Sequence, residues 1–224
     1  MINNIQNAII KLSEEKNFSM ADIEKVKIQV KADGKIFSTI VKPRENIITL
    51  DLETQFLADE VGGWGNIPDM KVAIVCIYSS REDKFYSFTE EQVPELIKKL
   101  KEATLIVGFN IINFDYRVLQ PYTDFNLNTL KTYDILTEVY KKLGYRISLQ
   151  NFAEATLGSS KSGDGVKAVE WFRAGEIDKV REYCQKDVEV TKNLYLHLKE
   201  RGSLRYYDKK SDDFKFVNLE VNNV

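Results

Sequence analysis

The stretch from Val107 to Leu119, VGFNIINFDYRVL, constrains the fold more than any other part of the chain. Leu105, Ile106 and Val107 form a short apolar run of the kind that makes a buried strand, and Gly108 ends it. Asn110 and Asn113 follow, and Asp115 opens a segment that reads as a helix. A strand feeding a helix is the repeating unit of an α/β domain. Asparagine and aspartate are poor core residues unless something satisfies them. Three at one strand-to-helix junction point to a site, although turn hydrogen bonds account for asparagine and the helix dipole for a lone aspartate.

On either side the hydrophobic pattern changes period several times. Before residue 45, Ile5, Ala8, Ile9 and Leu12 have helical spacing. Val26, Ile28 and Val30 then alternate with polar residues up to Asp33-Gly34, and Ile36 to Val41 is β-rich, the pattern of a hairpin. Residues 1–45 therefore read as a helix-plus-hairpin extension closed near Pro43. Strands follow at Ile47 to Leu50, Val72 to Tyr78 and Lys84 to Phe88, the first two separated by the glycine-rich loop Gly62 to Gly65. Thr89 reads as the N-cap of a helix through Leu100, and a short strand around Leu130 to Tyr133 ends at Asp134. Helices are expected to Leu143, from Ser148 through Ala153, over Val166 to Ala174, and over Asp178 to Glu200. Residues 46–202 then make one α/β domain with a central mixed sheet. Residues 203–224 read as a tail with one further strand, able to pair with the N-terminal hairpin or extend the sheet edge.

Composition narrows the chemistry. With 43% hydrophobic and 29% charged residues over 224 positions, the chain suits a globular domain with appendages. The longest apolar run, Val72 to Tyr78, is too short to span a bilayer, and the N-terminus lacks a signal-peptide pattern. Two cysteines, Cys76 and Cys184, offer neither a disulfide framework nor zinc spacing, so a reducing, cytoplasmic setting is expected. A balance of 32 basic against 34 acidic residues argues against gripping a long duplex by its phosphates. A single histidine, His197, leaves histidine-based zinc sites and histidine-dependent triads poorly supported. Carboxylates, tyrosine and a metal remain.

Two acidic motifs complete the picture. In Asp51-Leu52-Glu53 the period of two puts both carboxylates on one side of a strand end, where a divalent cation would relieve their repulsion. A solvated strand end neutralised by lysine or arginine explains them equally well. In Tyr183-Cys184-Gln185-Lys186-Asp187, the tyrosine and the aspartate share one helix face. With an ordinary pKa of about 10, a lone tyrosine is a feeble base, but beside a metal-bound water it can orient that water.

In order along the chain, Asp51, Glu53, Asp115 and Asp187, with Tyr183 four before the last, resemble the DEDD superfamily of 3′–5′ exonucleases, tyrosine subclass. The histidine subclass would carry histidine where this chain has Glu182. LDLET (Leu50 to Thr54), GFNIINFD (Gly108 to Asp115) and YCQKD (Tyr183 to Asp187) are similar to the three exonuclease motifs of the proofreading domain of family B DNA polymerases. The chain has no room for a polymerase domain. It looks most like stand-alone predicted exonucleases related to that domain, a group for which EVGGWGNIPDM (Glu60 to Met70) also looks typical. The resemblance covers roughly residues 46 to 202.

It implies an RNase H-like fold, with a central five-stranded mixed sheet flanked by helices. It also implies two divalent ions, Mg2+ or Mn2+, about 4 Å apart in a two-metal phosphodiester hydrolysis. One ion would be held by Asp51, Glu53 and Asp187; the second, held mainly by Asp51 and the scissile phosphate, would be water-linked to Asp115. Tyr183 would position the attacking water, and nucleoside 5′-monophosphates would leave a single-stranded DNA or RNA 3′ end. Asn110, Phe114, Trp64 and Thr54 are the expected substrate contacts, against turn geometry for Asn110, a core role for Phe114 and loop anchoring for Trp64. Asp134 is expected either as a functional acid or as a helix N-terminal one, and Lys161 and Lys186 as phosphate neighbours or surface residues. The rival readings are an inactive RNase H-like module that binds nucleic acid or a partner helicase or polymerase, and an RNase H-like endonuclease. Retention of all four carboxylates and the tyrosine favours the exonuclease.

Overall fold

A computed structural model of the chain describes residues 26–32, 35–41, 45–159 and 165–221, the first two ranges by backbone alone. The helix expected over residues 3–17, the turn at Asp33-Gly34 and Lys161 lie outside the described residues. Strands β1 (Val26–Ala32) and β2 (Lys35–Val41) pair antiparallel, as the alternating pattern predicts.

The central sheet has five strands: β3 (Ile47–Thr54), β4 (Val72–Ser79), β5 (Lys84–Phe88), β6 (Leu105–Gly108) and β7 (Thr132–Asp134). Their order is β5-β4-β3-β6-β7. The β3–β4 and β4–β5 pairs are antiparallel, and β3–β6 and β6–β7 are parallel. This is the mixed sheet that was expected. β3 lies at its centre, and burial on both faces accounts for its apolar Ile47, Ile48, Leu50 and Leu52.

Alternation along β3 decides what faces where. Ile48, Leu50 and Leu52 pack with Leu96 and Leu100 of helix α1 (Val93–Lys101) and with Tyr116 and Leu119 of helix α2 (Asp115–Leu119). Ile47 joins the opposite face, where it packs with Val190, Leu194 and Leu198. Asp51 and Glu53 share the parity of Ile47 and so must also point to that second face. Helices α3 (Ile135–Leu143), α4 (Leu149–Phe152) and α5 (Gly165–Arg173) follow, and then α6 (Ile177–Arg201), 25 residues long and ended by left-handed Gly202. α6 crosses this second face diagonally. Val180, Cys184 and Val188 rest on Ile74 and Cys76 of β4, and Leu194 and Leu198 rest against Ile47, Leu105 and Val107.

Three expectations are revised. The tail forms two strands, β8 (Ser203–Asp208) and β9 (Asp213–Asn218), because Gly202 turns the chain back and Leu204, Tyr206 and Val217 are buried against the α6 face. This hairpin pairs neither with β1–β2 nor with the central sheet; each stays a separate two-stranded sheet. The glycine-rich segment is not an open loop. It joins two 3-10 turns, Ala58–Val61 and Trp64–Met70, with Ile67 and Met70 buried beneath.

Gly108 is a residue of close approach. A Cβ there would fall 2.1 Å from Cγ2 of Ile111, whose side chain is fully buried in the core. Gly108→Ala should therefore destabilise the protein by about 2–3 kcal/mol, or disorder the turn that follows. Thermal unfolding of the variant beside wild type checks this; an unchanged melting temperature would contradict the tight packing described.

Candidate active site

Three segments converge at the C-terminal edge of β3, each for a local reason. Asp51 and Glu53 come from the strand itself, opposite Cys76 and Ile74 of β4, and a register shift after Glu53 releases the chain from the sheet. Asp187 comes from α6, where Cys184 one turn earlier anchors the helix by donating its Sγ–H to the Asp51 carbonyl at 3.3 Å. Cys76 makes a similar contact from below, to the Arg181 carbonyl at 3.7 Å. Both thiols are buried and unbridged, and they serve as small donors at the helix–sheet seam. Asp115 arrives from the other layer, at the start of α2.

One carboxylate oxygen from each of Asp51, Glu53 and Asp187 lies within 4.8 Å of the other two. Glu53 and Asp187 are each 9% exposed. Burial pushes the Asp51 carboxyl well up, and the Asp115, Asp187 and Glu53 charges push it further. Glu53 is raised in the same way, by burial and then by Asp187 and Asp115. Among the described residues no lysine or arginine pairs with either carboxylate. The donor set consists of hard oxygens at the spacing that a small divalent cation draws together, and such a cation would remove the repulsion. The residues present fit a metal.

Asp115 stands outside that group of three. It is 3% exposed, and one of its carboxylate oxygens, Oδ1, has no hydrogen-bond partner among the described residues. Burial raises its pKa to about 8, with the charge of Asp134 adding to the rise and backbone donors, including Leu52, opposing it. Its charge is also the largest single neighbour effect on Asp51. A buried oxygen beside three other carboxylates is satisfied by water or by an ion.

Tyr183 faces the cluster from α6, half-buried and edge-on to Trp171 of α5. Burial, the Asp187, Glu53 and Asp51 charges and a hydrogen bond to Asp187 hold its hydroxyl far above the ordinary tyrosine range. It is therefore a donor and not a base at neutral pH.

Asp134 is the residue whose importance spacing concealed. Fully buried, it accepts from the backbone N–H of Asn110 at 2.8 Å and of Ile112 at 3.1 Å, and caps α3 through the N–H of Thr137 at 3.2 Å. The helix N-terminal acid thus also anchors the turn that presents Asp115, and Asn110 in that turn adopts a left-handed backbone with φ 69°. A carboxylate at the end of β7 was visible in the sequence; its reach across to β6 was not.

The expected substrate residues border two adjoining cavities. Glu53, Thr54, Trp64 and Phe114 line one of about 420 Å3. Asn110, Trp64 and Phe114 line a groove of about 710 Å3 together with Asn113, Arg117, Tyr140 and Arg146. Trp64 and Phe114, 6.3 Å apart, form the wall between them. Trp64 is 67% exposed, which loop anchoring does not explain. Phe114 is half-buried and packs partly on the core, so both of its readings have a basis. The Thr54 hydroxyl donates to the Phe56 carbonyl at 2.9 Å. Lys186 is paired with Glu189 at 3.0 Å.

The family model described as RNase H superfamily matches residues 48–199, more than half of the chain. The chain belongs to the RNase H superfamily. That match takes in all four acidic positions and Tyr183 together with the β5-β4-β3-β6-β7 sheet. The carboxylates of this RNase H-like domain stand at the edge of its central strand. A comparison with curated proteins gives no match. Among the described residues no helix is long and apolar enough to cross a membrane.

The raised carboxyls have a consequence for stability. A group whose folded pKa lies above its unfolded value stabilises the fold in acid and loses that contribution as pH rises. For Asp115 the loss runs between its ordinary 3.8 and about 8. Without metal, Glu53→Gln should raise the melting temperature near neutral pH by roughly 3–6 °C, about 1.5 kcal/mol of relieved repulsion for a chain of this size. Thermal unfolding in EDTA checks it: the gain should shrink in acid and disappear when wild type is given Mn2+. A variant less stable than wild type at neutral pH would contradict the repulsion.

Proposed function

We propose that this RNase H superfamily protein is a 3′–5′ exonuclease of the DEDD superfamily, tyrosine subclass, related to the proofreading domains of family B DNA polymerases. The observation that carries the reading is the convergence of Asp51, Glu53 and Asp187 within 4.8 Å, with Tyr183 hydrogen-bonded beside them and Asp115 on the opposite flank. Residues 46–202 would be the catalytic domain, 1–45 an extension and 203–224 a tail. A cytoplasmic setting accords with the two free thiols.

The proposed cofactor is a pair of Mg2+ or Mn2+ ions, one held by Asp51, Glu53 and Asp187 and the other by Asp51 with water-linked Asp115. When bound, they would supply an acidified water and positive charge opposite the leaving oxygen. The chain's own contribution is placement. Tyr183, protonated at neutral pH, offers its O–H to hold the attacking water in line with phosphorus. Trp64 and Phe114 offer ring faces to the terminal nucleotide, with Asn110 and Thr54 beside it. The water gives up a proton to solvent as its oxygen bonds to phosphorus, the P–O3′ bond breaks and O3′ takes a proton from solvent, which releases a nucleoside 5′-monophosphate and leaves a shortened strand with a new 3′ hydroxyl. No covalent intermediate is required.

Single-stranded DNA and RNA labelled at the 5′ end and incubated with Mg2+ or Mn2+ should shorten as a ladder from the 3′ end. Asp51→Ala and Asp187→Ala should each reduce the rate by roughly 10²–10³-fold or more. Strand binding without cleavage by wild type under both metals would identify an inactive binding module. Internal cleavage would identify an endonuclease.

Tyr183→Phe separates positioning from metal binding. It removes only the hydroxyl and should slow turnover about 10- to 100-fold while leaving Mn2+ affinity, read by titration calorimetry, as in wild type. Unchanged turnover would dismiss the role given to Tyr183.

A further inference from the structure

The 710 Å3 groove has a composition that the acidic cluster does not explain. Of the large apolar side chains left exposed among the described residues, two border this one groove: Trp64 at 67% and Tyr140 at 55%. Large exposed rings gathered in one concavity mark a binding surface more often than a packing defect. Two arginines join them. Arg146 has neither ion pair nor hydrogen bond among the described residues. Arg117 donates only to the neutral Gly65 carbonyl, at 3.0 Å, so its charge is uncompensated. Glu138, the acid of α3 between Asp134 and Tyr140, is already paired with Lys141 at 2.7 Å. On a chain of net charge −2, this is a locally cationic, aromatic-lined trough. It adjoins the Glu53 cavity, since Trp64 and Phe114 line both.

We infer that this groove holds the part of a single strand adjoining the reacting nucleotide, with unstacked bases against Trp64 and Tyr140 and phosphates against Arg117 and Arg146. The inference rests on the exonuclease reading above and deepens it. The substrate class becomes a single strand several nucleotides long, not a dinucleotide and not a duplex. Stacking on an aromatic face requires a base free of its neighbours, which a duplex does not offer. Every base has such a face, so the groove selects for length and strandedness and not for sequence. Tyr140 on α3 and Arg146 just beyond it are binding residues, remote in sequence from all three acidic motifs.

The test is steady-state hydrolysis of DNA and RNA oligomers of two, three and six nucleotides by wild type, Tyr140→Ala, Arg146→Ala and Arg146→Lys. Wild-type kcat/KM should climb with length. In Tyr140→Ala and Arg146→Ala the climb should flatten through KM, by roughly tenfold on the hexanucleotide, with kcat little changed. Arg146→Ala should also lower the slope of log affinity against log salt by about 0.7, and Arg146→Lys should restore it. Length dependence as steep as wild type in both alanine variants would overturn the groove while leaving the exonuclease reading intact. Displacement of a fluorescent hexanucleotide by inorganic polyphosphate as readily as by unlabelled hexanucleotide would overturn the stacking. If wild type degrades no strand, the exonuclease reading fails by itself. Fluorescence anisotropy with the same hexanucleotide then decides the groove: weaker binding in both alanine variants supports it, and unchanged binding overturns it.

Discussion

Holding Asp51, Glu53 and Asp187 together where water is largely excluded costs folding free energy, and much of the domain is arranged to keep them there. Like charges in a partly desolvated setting separate if their supports allow it. Here the supports do not yield. β3 is flanked by strands on both sides, and α6 is set across the sheet by apolar contacts at both ends and by the Cys184–Asp51 contact between them. The core thus carries a destabilising cluster that a bound cation or protonation of the carboxyls would relieve.

The second layer contributes differently. Asp115 is presented by a turn that a side chain at residue 108 would crowd, and that turn is held by the two N–H bonds to Asp134. The acidic cluster therefore has a rigid half, on the sheet and α6, and a half hung on a buried hydrogen-bond network. Asp134 couples that network to α3, which also carries Tyr140 on the groove. The acidic edge and the groove thus share one anchor, which explains why a helix with no acidic motif of its own lies against the site.

Much of this was legible in the sequence. Val72 to Tyr78 and Leu105 to Val107 read as buried strands because no polar residue interrupts them, and α6 read to within a residue at each end because Gly202 stops it. Alternation put Asp51 and Glu53 on one side of a strand, and helical spacing put Tyr183 and Asp187 on one helix face. The grouping of Asp115 with them came only from the resemblance of the three motifs to a known family. The tail reads as a single strand because only Phe214 to Phe216 shows a plain alternation, whereas burial of Leu204, Tyr206 and Val217 depends on the distant α6 face. The glycine-rich segment read as a loop because Ile67 and Met70 fill a space visible only once β3 and β4 are assembled.

Local order was written into the sequence: which residues form most strands and helices, and which way their side chains turn. Tertiary structure alone decided distance. It brought residues 51, 53 and 187 within 4.8 Å and left Asp115 outside that group. It gave Asp134 two backbone partners more than twenty residues away. It gathered Trp64, Tyr140 and Arg146 around one groove. Periodicity is a property of neighbours along a chain, whereas electrostatic coupling and enclosure depend on separation in space. For residues more than a hundred positions apart, that separation is set by how helices pack on a sheet.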